Sequence, residues 1–139
     1  MHKQSSRGFS LIELMIVVTI VAIIAAFAYP SYTRQVQATR QSAAQGDMMS
    51  FASVLENYRA QNFSYEGADD PAVLPPPVNE NYAINVQVAA DFRSYVMTAV
   101  PLGQQVEAGA MALNERGESC VDPDDSAACV IGTDPAWKK

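Results

Sequence analysis

The sequence predicts an α+β fold in which one long N-terminal α-helix packs on an antiparallel sheet of about four strands. Three observations carry that reading. Residues 9–29 hold 18 apolar residues out of 21, broken only by Ser10, Glu13 and Thr19. From Tyr32 to Asn62 there is no proline, and apolar residues recur at spacings of three and four, as on a helix with one buried face. Tyr82-Ala83-Ile84-Asn85-Val86-Gln87-Val88 then alternates with period two, as in a strand with one buried face.

Taken in chain order, the apolar run comes first. Its 21 residues, at about 1.5 Å each, match the roughly 30 Å hydrocarbon core of a bilayer. Pro30 is expected to kink this helix rather than end it, because helix-forming Gln, Ala, Met and Arg follow. Met48, Phe51, Ala52, Leu55 and Tyr58 form a stripe, with Arg40, Asp47, Asn57 and Arg59 at polar positions. The stripe is expected to pack on the protein's own sheet. A helix from Phe9 to Asn62 would be on the order of 80 Å long, with Gly46 as a weak point inside it. Residues 63–81 turn to Ser, Gly, Asp and Pro, including Pro75-Pro76-Pro77, and read as a loop. Strands are expected at 82–88 and from Arg93 to Val100, with Asp91 as a turn residue. A third is expected around Met111-Ala112-Leu113, ended by Asn114-Glu115-Arg116-Gly117. The fourth runs around Glu118 to Val121 and resumes at Cys129-Val130-Ile131.

Composition bounds function. The 139 residues suit about one domain, and a mean hydropathy of −0.02 hides a division. Charge is +2 in residues 1–8, −1 in 9–29 from Glu13 alone, and −7 in 30–139. An acidic exposed part disfavours a protein built to hold nucleic acid by its phosphates. His2 is the single histidine, and Cys120 and Cys129 are the cysteines. A histidine-assisted nucleophile or a histidine metal centre would therefore have to use the basic N-terminal piece, so the chain reads as a non-enzyme with no cofactor.

The junction Arg7-Gly8-Phe9-Ser10-Leu11-Ile12-Glu13-Leu14 sharpens this. A secretory signal peptide would explain the basic start, the apolar run and a cleavage site at Ala26-Phe27-Ala28, and a plain anchor would explain the length. Neither explains Glu13, since a carboxylate at the membrane centre costs about 2.5–3.5 kcal/mol on insertion scales. GFSLIELMIVVTIVAIIAAFAYPSY closely resembles the N-terminal signature of type IV pilins and related pseudopilins, the class III prepilin signal. The resemblance implies that a prepilin peptidase cuts between Gly8 and Phe9 and that the new Phe9 amine is N-methylated. It makes Glu13 the acidic residue that meets a neighbouring subunit's N-terminal amine during assembly, and Pro30 the proline following the segment. Cleavage would leave 131 residues with a side-chain charge of −8. A glycine common in the middle of this helix in the family is replaced here by Val21-Ala22-Ile23.

The resemblance implies a type IV pilin fold divided as leader 1–8, transmembrane and filament-core helix 9–29, amphipathic continuation 30–62, αβ loop 63–81 and sheet head 82–139. From Tyr82 onward the chain loosely resembles PilE-like minor pilins. The implied partners are the prepilin peptidase, other pilin subunits through the N-terminal helix, the inner-membrane pilus assembly machinery and, before assembly, the membrane itself. The implied location is the bacterial inner membrane, then the extracellular pilus. An even cysteine count in an exported chain favours a Cys120–Cys129 disulfide over two free thiols; in the family such a bond bounds a surface loop. Asp122, Asp124 and Asp125 lie in that loop, but the glycine and distal glutamate of a calcium-binding EF-hand are missing, so no metal is assigned. Trp137 beside Lys138 and Lys139 is a small aromatic–basic contact surface, a domain-edge packing residue or simply part of a tail. Two alternatives remain at this level: a type II secretion pseudopilin, which shares the same N-terminus, and a DNA-receptor competence pilin, for which Arg93, Arg116, Lys138 and Lys139 would supply the cations.

Overall fold

A computed structural model describes residues 9–122 and 129–137. The first helix, α1, runs Leu11–Asn62 and contains Pro30. The chain forms two compact units, Met1–Val36 and Gln37–Lys139.

In the first unit every residue from Phe9 to Tyr32 is exposed. Polar side chains here bond to the helix's own carbonyls. Thr19 Oγ1 donates to Met15 O at 2.8 Å, and Thr33 Oγ1 and Arg34 Nε both donate to Pro30 O at 3.1 Å. Such local bonds let a hydroxyl sit in an apolar segment without an unpaired group. The helix passes through Pro30, as the sequence predicts.

In the second unit the predicted stripe is the helical side of the core. Ala44, Met48, Phe51 and Leu55 are buried, with Ala52 and Tyr58 packed against them. Four strands face them: β1 Tyr82–Val88, β2 Tyr95–Pro101, β3 Ala110–Asn114 and β4 Ser119–Asp122. They form an antiparallel meander in the order β1-β2-β3-β4. Ile84 pairs with Ala99, and Met97 with Leu113, so one pleat face delivers Tyr82, Ile84, Tyr95, Met97, Ala99, Met111 and Leu113 to the core.

Three details differ from the sequence reading. The second strand begins at Tyr95 rather than Arg93, because the turn extends through Ser94. There Phe92 N–H bonds Ala89 O, Arg93 N–H bonds Asp91 Oδ1 and Ala89 N–H bonds Ser94 O. No strand resumes at Cys129-Val130-Ile131. That segment turns instead, with Val130 N–H on Asp134 Oδ2 at 2.6 Å, and it is Pro135 O that accepts the N–H of Val121 at 2.8 Å. A 3₁₀-helix, Gly103–Ala108, has no counterpart in the sequence reading; about two turns carry too little periodicity to read.

The 63–81 loop is tied at both ends of β1. Tyr65 N–H bonds Phe92 O at 2.9 Å, while Asn79 Nδ2 donates to Asp47 Oδ2 at 2.7 Å and Asn79 Oδ1 accepts from Tyr82 N–H at 3.1 Å. Helix α1 stops where Phe63 adopts a left-handed conformation, φ 59°, and its N–H closes on Arg59 O at 2.7 Å. Glycine is the usual residue for such a cap.

Candidate functional site

The first candidate site is the beginning of α1. Phe9 and Ser10 precede the helix, Ser10 O accepts the N–H of Leu14 at 3.2 Å, and Glu13 lies in the first turn. Glu13 is the one charged side chain between Arg7 and Arg34. Around it the helix is long and apolar enough to cross a membrane, and none of that apolar window is buried within the chain. Phe9 and Phe27 are each 78% exposed. An unburied helix that is apolar all round is a segment awaiting a lipid or protein solvent. In either, an ionised Glu13 would be stabilised by a cation at its depth. The helix rise places Glu13 about 6 Å along the axis from Phe9, within reach of an amine there or at the same place on a neighbour. Gly8 and the rest of the leader lie outside the described residues.

The second region is the head. Cys120 and Cys129 form a disulfide with Cα atoms 6.1 Å apart. Residues 123–128, with Asp124 and Asp125, lie outside the described residues, as do Lys138 and Lys139. The sulfurs and a carboxylate oxygen of Asp134 lie within 4.8 Å of one another, but both sulfurs are committed to their mutual bond, and metal coordination requires thiolates. Trp137 packs against the core and donates from Nε1 to Cys120 O at 2.8 Å. With the Pro135 bond it covers the outer side of β4, so the domain-edge reading of Trp137 holds.

Two side-chain groups fix the head, and neither was legible beforehand. Tyr65 is fully buried in the core cluster, donates to Glu56 Oε1 at 2.6 Å, lies under the Arg59 guanidinium at 5.3 Å and meets Tyr95 edge-on at 5.0 Å. Gln37 and Gln41, one helical turn apart, donate to Gln104 O at 3.1 Å and Ala108 O at 3.3 Å. From the 3₁₀ turn, fully buried Gln105 donates back to Gln37 O at 2.8 Å. The four-residue spacing of Gln37, Gln41 and Gln45 was the available signal. On the surface, Phe92 holds a left-handed conformation, φ 56°, beside exposed Arg93.

An unburied membrane-length helix with a single carboxylate in its first turn, together with a helix-on-meander head, defines a class: subunits inserted in a membrane or packed together by that helix. Comparison with known proteins agrees. A family model described as "Type IV minor pilin ComP, DNA uptake sequence receptor" matches residues 30–114, and one described as "Prokaryotic N-terminal methylation motif" matches residues 3–29. The chain belongs to the type IV pilin family. It is 32% identical over 89 residues to the type II secretion system core protein G of Pseudomonas aeruginosa, covering 58% of this chain and 63% of that one. It is 33% identical over 99 residues to the fimbrial protein EcpC of Eikenella corrodens, covering 71% of this chain and 65% of that one. The matched stretch thus spans less than two thirds of either relative. A type IV pilin structure from Shewanella oneidensis shares the fold with a TM-score of 0.50 and 23% identity, covering 67% of this chain and 98% of that one.

The buried phenols give the head a distinct pH response. Burial raises the Tyr65, Tyr82 and Tyr95 hydroxyls above the ordinary tyrosine range; the nearby Glu56 carboxylate adds to the effect at Tyr65 and Tyr95. Their folded-state values exceed the unfolded value of about 10, so the unfolded chain releases these protons first. The contribution of these phenols to the head's stability is therefore fully present below about pH 10 and is lost as pH rises through the folded-state values. Far-ultraviolet circular dichroism with tyrosinate absorbance is expected to show unfolding above about pH 10, with the transition moved to higher pH in Tyr95→Phe.

Proposed function

We propose that this chain is a structural subunit of a type IV pilus, of the minor class, and that it performs no catalysis itself. In this reading a prepilin peptidase cuts between Gly8 and Phe9, the Phe9 amine is methylated, and the mature chain waits in the bacterial inner membrane by its apolar helix. The assembly machinery then moves that helix into a filament core among other pilin subunits, and the head becomes extracellular. Motility, adhesion and DNA uptake are the roles such a filament supports.

The observation that carries the proposal is Glu13, the one charge in the apolar 9–29 run, which is unburied among the described residues. Loss of Lys3 and Arg7 with the leader removes the cations that hold the N-terminus at the membrane surface, while cleavage creates an amine for a carboxylate to meet. An ion pair buried among apolar helices is costly when broken, about 3–5 kcal/mol for a lone remaining charge, so subunits are driven toward the register that pairs it.

The family model's description favours a second reading, a receptor for DNA. Phe92 and Arg93 share one exposed turn and Arg116, paired with Glu115 at 3.3 Å, stands in another, which offers an aromatic and two cations, one of them already paired. Against it stands the −7 charge of residues 30–139, which repels a phosphate backbone. The P. aeruginosa relative's name favours a third reading, a secretion pseudopilin. Deleting the gene and scoring piliation, twitching, DNA uptake and secretion in parallel separates the three.

Glu13→Ala is expected to be cleaved normally and to reach the membrane, yet to enter sheared filaments on the order of 100-fold less than the parent; normal incorporation would remove Glu13 from the assembly step. In gel shifts with the full chain in detergent and duplex DNA, no complex is expected to survive moderate salt. A shift that persists there would move the assignment to the receptor reading.

A further inference from the structure

Cys120, Cys129 and Asp134 bring two sulfurs and a carboxylate oxygen within 4.8 Å of one another. Cys120 is fully buried and the other two are half-buried. The disulfide ties this group, but other bonds already place it. The turn after Cys129 folds back on its own backbone: Thr133 N–H and Asp134 N–H both reach Val130 O, at 3.1 and 3.0 Å, and Asp134 Oδ2 accepts the N–H of Val130 at 2.6 Å. The segment that follows is fastened to β4 by Val121 N–H on Pro135 O and by Trp137 Nε1 on Cys120 O, both at 2.8 Å. None of these bonds involves sulfur. The two sulfurs and the carboxylate therefore stay neighbours when the cysteines are thiols.

Every disulfide is preceded by a dithiol. We propose that in this dithiol state Cys120, Cys129 and Asp134 bind one thiophilic divalent cation, zinc before others. Two thiolates and a carboxylate suit zinc, whereas calcium and magnesium take oxygen ligands throughout. Zinc holds four ligands at about 2.0–2.3 Å; the chain supplies three and water takes the fourth place. With the cysteine Cα atoms 6.1 Å apart, side-chain rotation alone lets the sulfurs part to flank an ion. The N–H of Val130 orients the carboxylate, as outer-shell donors do in metal sites. Binding is redox-neutral: two S–H bonds break, two sulfur–metal bonds form, and two protons leave to solvent. Ion and disulfide compete for the same sulfurs, so each excludes the other. The metal form closes the C-terminal segment on β4 before an oxidant does, and it stands whether or not the chain enters a filament.

The test uses the full chain in detergent, reduced with a phosphine that is then removed, and cobalt(II) as a coloured stand-in for zinc. One equivalent of cobalt is expected to give the intense visible bands of a tetrahedral site and a sulfur-to-metal charge-transfer band in the near ultraviolet. Zinc is expected to bleach both, and the disulfide form to show neither. Asp134→Asn keeps an oxygen for the N–H of Val130 but loses the negative charge. It is expected to bind at least about tenfold more weakly, since even an outer-shell partner contributes that much. Far-ultraviolet circular dichroism is followed through the same titration. A reduced chain without the tetrahedral cobalt spectrum would overturn the site, as would a reduced head that unfolds and that the metal does not restore. Unchanged affinity in Asp134→Asn would overturn the three-ligand set, and the same spectrum from the disulfide form would overturn the site by placing the ion on other ligands.

Discussion

A carboxylate in the first turn of α1, inside its apolar 9–29 run, sets the terms for everything else in this molecule. In water such a helix would collapse against the head or aggregate; in lipid, or among copies of itself, the apolar side chains are satisfied and Glu13 becomes the single unfavourable group. The free energy of that one charge falls when a cation arrives at its depth. Among the residues that accompany the helix, the candidate nearest along the chain is an amine at Phe9, which exists only once the bond to Gly8 is cut. In the proposed reading, processing and polymerisation are tied to that one electrostatic requirement, while the apolar run itself accounts for membrane residence.

The same helix has to meet two solvents, and its residue pattern changes accordingly. From Phe9 to Tyr32 every side chain is exposed, which is tolerable because nearly all are apolar and Thr19 and Thr33 return their hydroxyls to backbone carbonyls. From Gln37 onward the apolar residues narrow to a stripe, and Ala44, Met48, Phe51 and Leu55 build one wall of a core whose other wall is a four-stranded meander. The glutamines give this second half a grip of another kind. Gln37, Gln41 and Gln105 exchange side-chain bonds with backbone carbonyls across the helix and the 3₁₀ turn, directional contacts that fix position where apolar packing alone tolerates sliding.

Much of this was legible before any coordinates. Period two in residues 82–88 gave both the strand and its buried face, since Tyr82 and Ile84 point inward in the structure as the alternation requires. The helical stripe was legible for the same reason: repeated burial imposes repeated residue types. What stayed hidden has no period. The Gly103–Ala108 3₁₀-helix is about two turns long, and the end of α1 uses Phe63, whose left-handed backbone no phenylalanine advertises. The fourth strand's continuation was misplaced because Cys129-Val130-Ile131 has strand-like composition, whereas the Val130–Asp134 turn depends on a side-chain bond that only tertiary structure reveals. At the helix start the proposed site rests on residue order alone, because one charge in an apolar run is conspicuous against a uniform background.

The account stands or falls on where the mature chain begins. Mass spectrometry of the N-terminal peptide from the membrane-inserted protein is the direct measurement. N-methylated Phe9 as first residue is the result that a Glu13–amine pairing requires. A chain beginning at Tyr29 would contradict it, since the apolar helix and its carboxylate would then be absent from the working protein.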